Sequence, residues 1–598
     1  MDKIIFPYGE ADFYLLVMEN NFYVDRTAYI RLLEEKGRTL LFLRPRRFGK
    51  SLLLSMLENY YDVKKAAEFE RLFGHLAIGQ DPTPRHNRYL IMRWNFSEVL
   101  PHGTSEHIKQ SLYTHLNKSI YKFVLRYEDL LRHKIEIDYN DAMGTFQAAL
   151  AVVQTTPYPL YLFIDEYDNF ANEVLTAKET GGYKRYLDLV EGEGILKTIF
   201  KMIKAELGGQ GLERVFMTGV SPIVVNDMTS GFNVVENITF APDLHEICGF
   251  REDEVVEVLE RVGAIGALSP QQVQEALTMM RTFYNGYRFG QNQPTLLYNP
   301  TLVLYFLKHL QSYGSYPQNM LDSNLAMDGQ KIAYIAHLPD GEQIVATALN
   351  EDRPLAIVQM AERFGVNDIF YGNKSSQYMI SLLYYFGVLT LANQSTPMGE
   401  LVFAIPNLVS RQLYLEQIRD AFLTTGKAED RAYQVAKSFY LSGDIETVCT
   451  FIEQTYFTVF DNRDYRWTNE LTIKTIFLTL LYNSARYVMD SEPALQREYG
   501  DLVMLLRPDM RQLAMLEFLL EFKYLSLPDV GLSGKDVRER SRAELATLKP
   551  VAAQQAEARK KLAGYRQVLA NIHGDLPRLR CYSVVAIGYE RLVWAEVE

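Results

Sequence analysis

The sequence predicts an α/β protein: a helix-covered parallel sheet in the N-terminal part, a helical middle and a smaller α/β unit at the C-terminus. In residues 40–253, short apolar runs alternate with longer helical segments. Buried parallel strands read as continuous apolar runs, and their alternation with helices is typical of a parallel sheet with helices on both faces. Helical periodicity dominates residues 252–310, and apolar runs return beyond residue 500.

Length and composition limit the classes of protein to consider. The chain has 598 residues, 48% of them hydrophobic and 23% charged, which excludes a disordered chain. At about 150 residues per domain, we expect roughly three to five domains. The longest nearly uncharged stretch, residues 379–392, is shorter than the ~20 residues of a membrane helix, and the N-terminus does not have the pattern of a secretory signal. We therefore expect a soluble, cytoplasmic protein without a membrane partner.

Charge and cysteine usage narrow these classes further. The net charge of −12 argues mildly against a surface coated by nucleic acid, although a local basic groove stays compatible with it. The three cysteines lie far apart, so neither a disulfide framework nor a CxxC metal knuckle is available.

The coarse order of elements follows from the apolar periodicity. The predicted strands of the N-terminal sheet are residues 39–43, 89–94, 160–164 and 214–218. The helices of residues 252–310 are broken at 284–287 and 298–300. An apolar helix at 379–386 then precedes strands at 388–391 and 401–404, and a helix followed by a hairpin is the outline of a winged-helix module. Residues 425–490 are predicted to be wholly helical, followed by strands at 502–506 and 515–522, a long basic helix at 535–570 and a strand at 582–587.

A phosphate-binding loop follows the first predicted strand. The segment Arg44-Pro-Arg-Arg-Phe-Gly-Lys-Ser51 matches the second half of the GxxxxGK[ST] pattern, with Arg44 in place of the first glycine. Gly49 lets the backbone approach a phosphate, Lys50 reaches the outer phosphates and Ser51 offers a hydroxyl to Mg²⁺. The helix that begins here, with Leu52 in its first turn, directs free N–H groups at the anion.

The same loop has less specific interpretations. A Gly-Lys-Ser triplet also occurs on protein surfaces by chance, although its position between an apolar strand and a helix favours a nucleotide site. Arg46 and Arg47 either contact phosphate or are solvated loop charges.

An acidic strand end supplies the second half of the nucleotide site. Asp165 and Glu166 directly follow an apolar strand. Asp165 is predicted to hold Mg²⁺ through its water shell beside Ser51, and Glu166 to orient or deprotonate the attacking water. Alternatively, the strand simply ends in solvated acids. The phosphate loop and the acidic strand end occur in the order that ATP hydrolysis needs, ~115 residues apart, and together they predict a P-loop ATPase.

The fourth predicted strand also ends in hydroxyl groups. Thr218 or Ser221 could sense the terminal phosphate of the nucleotide, or could cap the following turn. No arginine finger can be chosen from the sequence.

Two carboxylates and a lysine form a second candidate site near the C-terminus. Glu521 and Lys523 share one face of a predicted strand, and Asp501 precedes the neighbouring strand. Two carboxylates can hold a divalent cation and a lysine can position a nucleophilic water, which is the chemistry of metal-assisted phosphodiester hydrolysis. The spacing Asp-x19-Glu-x-Lys suits nucleases of the PD-(D/E)xK type. The alternative is an exposed cross-strand ion-pair face.

Flanking residues add modest support for this site. Glu470 opens a helix and could add a carboxylate, or it is a first-turn glutamate stabilised by the helix dipole. Gln554 or Gln555 could contact a substrate phosphate, or both are ordinary exposed glutamines. Residues 535–566 contain nine Lys and Arg against four Asp and Glu. Such a surface could follow a nucleic-acid backbone or be a solvated helix face.

Several motifs together resemble the bacterial AAA-ATPase-like family. Its opening is similar to residues 6–13, 22–27 and 44–51, and its later motifs are similar to residues 162–168, 216–221, 284–289, 298–300, 382–390 and 405–407. Proteins of this family typically carry a C-terminal PD-(D/E)xK nuclease-superfamily domain, which Asp501 and Glu521-Phe-Lys523 match. The resemblance implies that the missing loop glycine is normal for the group. The chain departs from the family at Gln554-Gln555-Ala-Glu557, where an isolated glutamine is usual.

The motifs and the resemblance together give each candidate residue a predicted role and divide the chain into domains. The catalytic residues would be Glu166, Asp501, Glu521 and Lys523, with Glu470 as a helper. The nucleotide-binding residues would be Arg46, Arg47, Gly49, Lys50, Ser51, Leu52, Asp165 and Thr218. The metal ligands would be Ser51, Asp165, Asp501 and Glu521. We expect a P-loop AAA-like ATPase domain in residues 1–250, a helical lid and winged-helix-like region in 251–424, a helical connector in 425–465 and a nuclease-like domain in 466–598.

The function predicted from the sequence is ATP binding and hydrolysis that regulates a metal-dependent endonuclease or exonuclease. The cofactors would be ATP and Mg²⁺. The partner would be nucleic acid, DNA rather than RNA. A homo-oligomer is compatible with the sequence. The alternative is a nucleotide-controlled switch or scaffold whose C-terminal domain binds nucleic acid or a partner without cleavage. A DNA-translocating motor is less favoured, because the sequence contains neither a second nucleotide-binding core nor a recognisable arginine finger.

Overall fold

The structure is a computed structural model that describes residues 3–100, 103–169, 194–209, 211–222, 234–322, 329–336, 341–349, 355–361, 375–423, 426–460, 470–490, 501–574 and 576–597. The chain forms two compact units. The first comprises Met1–Gly314, Tyr334–Ile344 and Leu355–Pro406, and the second comprises Ser315–Ala333, Val345–Pro354 and Asn407–Glu598. Across the described ranges, none of the helices has the length and apolar character needed to cross a membrane.

The first unit contains a five-stranded sheet in which every neighbouring pair is parallel. The order is β2-β3-β4-β1-β5, with strands β1 (Thr39–Leu43), β2 (Leu90–Asn95), β3 (Leu160–Asp165), β4 (Leu212–Gly219) and β5 (Glu236–Asn237). The four predicted strands are confirmed, with ends that shift by up to two residues, whereas the short edge strand β5 was not predicted. Strands β1 and β3 are buried along their whole length, so both of their faces are covered.

This strand order brings the candidate nucleotide residues to one edge of the sheet. Strand β4 lies between β1 and β3, and all three run in the same direction. Ligands of open parallel sheets bind beyond the carboxyl ends of the strands. The phosphate loop after β1, Asp165 at the end of β3 and Thr218 near the end of β4 therefore lie at the same edge.

Helices surround this sheet. They are α1 (Phe13–Met18), α2 (Tyr29–Glu35), α3 (Lys50–Tyr61), α4 (Phe69–Phe73), α5 (Ala77–Gln80), α6 (Ser105–Arg126), α7 (Ala142–Val153) and α8 (Ile195–Glu206), with 3₁₀ turns at Val63–Glu68, Phe96–Glu98 and Pro242–Leu244. Leu54 and Leu57 of α3 belong to one apolar core with Phe42 of β1 and Phe163 of β3. The helix that follows the phosphate loop is thereby fixed to the sheet.

Three further helices confirm the predicted helical stretch and its breaks. They are α9 (Glu252–Ile265), α10 (Pro270–Tyr284) and α11 (Pro300–Tyr313). The side chain of Asn299 accepts hydrogen bonds from the N–H groups of Thr301 and Leu302, and Pro300 lies in the first turn, which is how a helix start is commonly specified. Helices α12 (Gly329–Ala336) and α13 (Gly341–Ala348) follow along the chain.

The predicted helix and hairpin of the middle region are present. Helix α14 (Ser376–Tyr385) precedes strands β7 (Thr390–Ser395) and β8 (Leu401–Ala404), which pair antiparallel around a turn with Gly399 in the left-handed region. Strand β6 (Leu355–Ile357), which was not predicted, pairs with β8. The interpretation of this region as a winged helix stays a prediction.

The second unit begins with helices and ends in a mixed sheet. The helices are α15 (Leu408–Phe422), α16 (Gly426–Ser442), α17 (Ile445–Thr455), α18 (Phe457–Phe460) and α19 (Glu470–Leu481). The sheet has the order β13-β12-β11-β10-β9, with strands β9 (Tyr487–Asp490), β10 (Leu502–Leu506), β11 (Glu517–Leu525), β12 (Leu579–Ile587) and β13 (Arg591–Val597). Only the central pair, β11 and β12, is parallel.

Two predictions for this unit are wrong. Residues 425–490 are not wholly helical, because β9 pairs antiparallel with β10 and buries its alternate side chains Tyr487 and Met489. The helix predicted at 535–570 is divided into α21 (Gly534–Glu539), α22 (Arg542–Ala546) and α23 (Lys549–His573), after a short helix α20 (Leu527–Val530). Ser533 and Ser541 form capping boxes and Pro550 lies in the first turn of α23, so each starts a new helix.

Candidate functional site

The backbone of the phosphate loop adopts the geometry that an anion-binding loop needs. Gly49 caps the N-terminus of α3 with φ +87°, a left-handed conformation that strains other residues. A Cβ at this position would meet no atom within 4 Å, so glycine is required here for its conformation and not for space. The first N–H groups of α3, including those of Ser51 and Leu52, have no partner within the helix and are available to a phosphate.

Lys50 is held by neutral groups of the same loop. Its side chain is buried, and its ammonium donates to the carbonyl oxygens of Arg44 and Pro45, each at 2.9 Å. Burial lowers the pKa of Lys50, and the nearby carboxylates of Glu166 and Asp165 oppose this effect. Phosphate oxygens would form stronger, charge-assisted hydrogen bonds with this ammonium than the carbonyl oxygens do.

The arginine in place of the first loop glycine is a structural residue. Arg44 is buried, its guanidinium lies 4.5 Å from the ring centre of Phe42 and 4.3 Å from that of Phe289, and it donates to the carbonyls of Thr239 and Leu244 at 2.8 and 3.1 Å. Burial lowers the pKa of Arg44 to about 10. The side chain is thus directed into the protein interior.

The two following arginines differ in their environment. Arg46 is half-buried and donates to the side-chain oxygen of Asn169 at 2.9 Å. Arg47 is exposed with φ +65°, and its carbonyl accepts a hydrogen bond from the Thr301 hydroxyl at 3.0 Å. Their predicted contacts with phosphate stay predictions.

Asp165 is held by hydrogen bonds to both of its carboxylate oxygens. It is buried at the end of β3, and its two carboxylate oxygens accept hydrogen bonds from the Thr218 hydroxyl at 2.6 Å and from the Arg93 guanidinium at 2.7 Å. Thr218 is fully buried and holds Asp165, a contact that neither of its two predicted roles included. Glu166 follows with φ +50°, unusual for a residue with a side chain, and burial raises its pKa.

The second unit brings together the C-terminal carboxylates and lysine as predicted. Leu502 pairs with Leu520, which sets Asp501, one residue earlier, beside Glu521 on the neighbouring strand. Asp501 accepts a hydrogen bond from the backbone N–H of Phe522 at 2.7 Å. Burial and the neighbouring Glu521 raise the pKa of Asp501 to about 7.

Glu521 lies at the centre of this cluster. One of its carboxylate oxygens, Oε1, is 3.0 Å from the ammonium of Lys523 and 3.0 Å from that of Lys561. The other, Oε2, is buried and has no hydrogen-bond partner among the residues that the structure describes. Glu521 and Lys523 are only 0% and 5% exposed, so the alternative of an exposed ion-pair face is wrong.

Lys523 links Glu521 to Glu470. Its ammonium also donates to the Glu470 carboxylate at 3.1 Å and to the carbonyl of Phe522 at 3.0 Å. Burial lowers the pKa of Lys523, but the carboxylates of Glu521 and Glu470 outweigh it, so the pKa lies above its ordinary value. The helper glutamate predicted from the sequence thus reaches the cluster through the lysine. Gln554 and Gln555 lie half-buried near the start of α23.

The cluster fits a divalent cation that keeps part of its water shell. Mg²⁺ is commonly held by one or two carboxylates, with waters and substrate phosphates completing its coordination. Asp501 and Glu521 supply two carboxylates, and Oε2 of Glu521 is an unpartnered oxygen. Within the described ranges, no three His, Cys, Asp or Glu side chains are grouped as metal ligands.

The N-terminal part of the chain matches a known family. Residues 7–229 match the family model AAA-ATPase_like, described as "Predicted AAA-ATPase". Residues 7–229 are similar to this family. The match confirms this part of the resemblance and supports nucleotide binding, whereas the C-terminal nuclease resemblance stays a prediction.

One curated relative is uncharacterised. It is a protein encoded in the vnfD 5′ region of Azotobacter chroococcum mcd 1, 25% identical over 292 residues, which are 48% of this chain and 49% of the relative. The chain therefore matches about half the length of this relative.

Solved structures show only a weak likeness to this chain. Aeropyrum pernix ORC2, in its ADPNP–ADP complexes, has a TM-score of 0.30 and 12% identity, over 66% of this chain and 91% of that protein. Aeropyrum pernix ORC1 in complex with DNA has a TM-score of 0.24 and 11% identity, over 68% and 96% of the two chains. Cdc6p from Pyrobaculum aerophilum has a TM-score of 0.22 and 10% identity, over 70% and 97%. TM-scores this low do not define a shared fold.

Two residues of the first candidate site were missed by the sequence analysis. Arg93 on β2 contacts Asp165 and lies 3.3 Å from Glu58, whose pKa burial raises to about 7. An arginine inside the apolar run of β2 was the available indication. Asp168 accepts hydrogen bonds from the backbone N–H and hydroxyl of Ser221 at 2.7 and 2.9 Å, which ties the loop after β3 to the end of β4.

Proposed function

We propose that this protein binds and hydrolyses ATP in its N-terminal domain and thereby regulates metal-dependent cleavage of nucleic acid, DNA rather than RNA, at the cluster of Asp501, Glu521 and Lys523. The observation that carries the proposal is the buried Glu521 carboxylate, which lies beside a second carboxylate and has one oxygen without a partner in the described part of the chain. This cluster belongs to the same chain as an AAA-ATPase-like domain.

The nucleotide half of the proposal rests on the phosphate loop. The first turn of α3 and Lys50 would bind the phosphates of ATP, and Ser51 and Asp165 would hold Mg²⁺. The bound Mg²⁺ would neutralise part of the phosphate charge. Glu166 would orient the attacking water, and its raised pKa makes the carboxylate a better proton acceptor.

The cleavage half rests on the cost of burying charge. A buried carboxylate is destabilising unless its oxygens are paired, and purely structural ion pairs tend to satisfy both. Glu521 leaves Oε2 unpartnered, which favours a site completed by a ligand. Asp501 and Glu521 would hold a divalent cation, which would supply Lewis-acid chemistry at a phosphodiester. Lys523 would orient the nucleophilic water, with Glu470 positioning the lysine.

Exposed positive charge on α23 supports nucleic acid as the substrate class. Arg559, Lys560 and Lys561 are consecutive and exposed, and Lys561 reaches the Glu521 carboxylate. Basic side chains that follow a phosphate backbone supply much of the affinity of proteins for nucleic acids.

A cleavage assay tests the proposal. Single- and double-stranded DNA are incubated with Mg²⁺ or Mn²⁺, with and without ATP, using the wild type and the variants Asp501→Ala and Lys50→Ala. We expect Asp501→Ala to abolish cleavage and keep ATP binding, and Lys50→Ala to remove ATP binding and the effect of ATP on cleavage. Cleavage that survives in Asp501→Ala and also in Glu521→Gln would refute the proposed nuclease centre.

A second function is favoured by a specific contact. Two ammonium groups, those of Lys523 and Lys561, lie on the same oxygen of Glu521, as expected if lysines permanently fill the site. The protein would then be a nucleotide-controlled switch or scaffold that binds nucleic acid or a partner without cutting. A crystal soaked in Mn²⁺ separates the two functions: Mn²⁺ between Asp501 and Glu521 supports cleavage, and no Mn²⁺ there supports the switch.

A further inference from the structure

Helix α23 places a second lysine at the edge of the carboxylate cluster. Leu562, Tyr565 and Leu569 of this helix pack in one apolar core with Val503 of β10 and Leu519 of β11. This core lies on the same sheet face as Glu521, because alternate residues of a strand share a face. Lys561, the residue before Leu562, therefore stands beside the carboxylates, with its ammonium 3.0 Å from Oε1 of Glu521.

The two lysines on Glu521 are held very differently. The Lys523 side chain is 6% exposed and its ammonium has three partners, the carboxylates of Glu521 and Glu470 and the carbonyl of Phe522. The Lys561 side chain is 43% exposed. Among the described residues, Glu521 is the partner of the Lys561 ammonium. Lys523 is thus fixed, whereas Lys561 can turn into solvent at the loss of a single contact.

We propose that Lys561 is a displaceable counter-ion of Glu521: its ammonium neutralises this carboxylate in the metal-free protein, leaves when a divalent cation enters, and then binds a backbone phosphate of the nucleic-acid substrate. This inference rests on the proposed function for its last step. A divalent cation bound at Oε2 of Glu521 would lie close to the two ammonium groups on Oε1 and would repel both of them. The mobile lysine is therefore the one to withdraw.

The destination of the displaced ammonium follows from its position. Arg559 and Lys560 are also exposed on this helix, so the displaced ammonium would enter solvent near other positive charges. Such surroundings are unfavourable for a free ammonium and favourable for one paired with a phosphate. Binding of the cation and binding of the nucleic acid would consequently strengthen each other, because the cation releases Lys561 from Glu521 and the phosphate gives its ammonium a new partner.

The test compares Lys561→Gln with Lys560→Gln in the full-length protein. Lys560 is the adjacent residue and is also exposed, so Lys560→Gln removes the same charge from the helix. Mn²⁺ affinity is measured by electron paramagnetic resonance without DNA, and DNA affinity is measured in Ca²⁺, which replaces the cleaving metal. Thermal unfolding checks that both variants fold.

We expect Lys561→Gln to bind Mn²⁺ about fivefold or more tightly than the wild type, the effect of removing a unit charge near 4 Å even at the dielectric constant of water. The same variant should bind DNA in Ca²⁺ several-fold more weakly, and Lys560→Gln should leave Mn²⁺ affinity unchanged. Equal or weaker Mn²⁺ binding by Lys561→Gln would overturn the inference, because it would make Lys561 a fixed support of Glu521.

The two proposals fail in different ways. If the wild type does not cleave DNA but Lys561→Gln still binds Mn²⁺ more tightly, the nuclease proposal fails and the counter-ion role of Lys561 is supported. If the wild type cleaves DNA and both lysine variants bind Mn²⁺ equally well, the counter-ion role alone is overturned. Absence of Mn²⁺ binding in all forms overturns the counter-ion role, whatever the cleavage assay gives.

Discussion

The lysines of the two candidate sites face opposite surroundings. Lys50 is buried among loop carbonyls, and burial lowers its pKa. Lys523 is buried among carboxylates, which raise its pKa above the ordinary value. A lysine held by neutral groups can exchange them for an anionic ligand, whereas a lysine held by two carboxylates is a fixed part of its site.

The acids of the two sites also differ in how their carboxylate oxygens are paired. Both carboxylate oxygens of Asp165 are hydrogen-bonded, to Thr218 and Arg93. Glu521 has one oxygen shared by two lysines and one without a partner. This difference supports the proposal that the first site receives an anion at its lysine and the second a cation at its carboxylates.

Glu521→Gln should have the largest effect, because it removes the charge at the centre of the second site. We expect metal-dependent DNA cleavage to fall by at least about 1000-fold, as for other groups that act as a unit in catalysis. The matched control is Glu517→Gln, a buried glutamate on the same strand whose side chain accepts a hydrogen bond from the Leu506 N–H. Glutamine keeps that acceptor, so cleavage by the control should be nearly unchanged. An equal loss of cleavage in both variants would show that Glu521→Gln acts through folding and would contradict a catalytic role for Glu521.

Lys50→Ala tests the first site. Removing a positioned charge should lower the ATPase rate by about 100-fold, while DNA cleavage without ATP stays intact. Lys65→Ala is the control, since Lys65 lies in the 3₁₀ turn just after α3, where it is half-buried and pairs with Glu68 at 3.0 Å. An ATPase rate that falls in both variants, or in neither, would contradict the assignment of Lys50.

The raised pKa of Asp501 predicts that the stability of the second site depends on pH. Its pKa in the folded protein is about 7, above an unfolded value of about 4, so its contribution stabilises the protein at low pH and is lost as the pH rises towards 7. Without metal, we expect the free energy of unfolding of the C-terminal unit to fall by about 2 kcal/mol between pH 5 and pH 6.5. Urea unfolding at these pH values measures the change. Asp501→Asn should remove most of this dependence, and an unchanged slope would contradict the pKa.

Thr218→Val gives the smallest expected effect. Valine has a similar shape but leaves one oxygen of the buried Asp165 without its donor, which should cost about 1 to 2 kcal/mol of stability. We also expect a roughly tenfold lower ATPase rate if the hydroxyl positions Asp165 for Mg²⁺. Thr218→Ser keeps the donor and should behave like the wild type. If serine is as damaging as valine, the methyl packing of Thr218 is what matters.

The N-terminal sheet could be predicted because its strands are buried on both faces. Continuous apolar runs such as β1 and β3 are distinctive, and the residues at their carboxyl ends must meet at one edge of a parallel sheet. The same logic placed Asp501 beside Glu521, because neighbouring strands bring their same-face residues together. Short edge strands were missed: β5 has two residues and β9 four, and their conformation comes from pairing with a neighbour.

Contacts that depend on packing could not be predicted. Lys561 looks like any exposed helical lysine in the sequence, and its contact with Glu521 exists because Leu562 and Tyr565 fix α23 on the sheet. Arg44 marked a departure from the usual loop pattern, but its burial against Phe289 joins segments far apart in the sequence. Such contacts carry no local pattern, so only the folded structure shows them.

The most direct test of the central claim is the rate of DNA cleavage in Mn²⁺, measured with and without ATP for the wild type and for Lys50→Ala. The account predicts that ATP changes the wild-type rate, that Lys50→Ala cleaves at one rate in both conditions, and that Glu521→Gln does not cleave in either. Absence of cleavage by the wild type, or a wild-type rate that is the same with and without ATP, would contradict it.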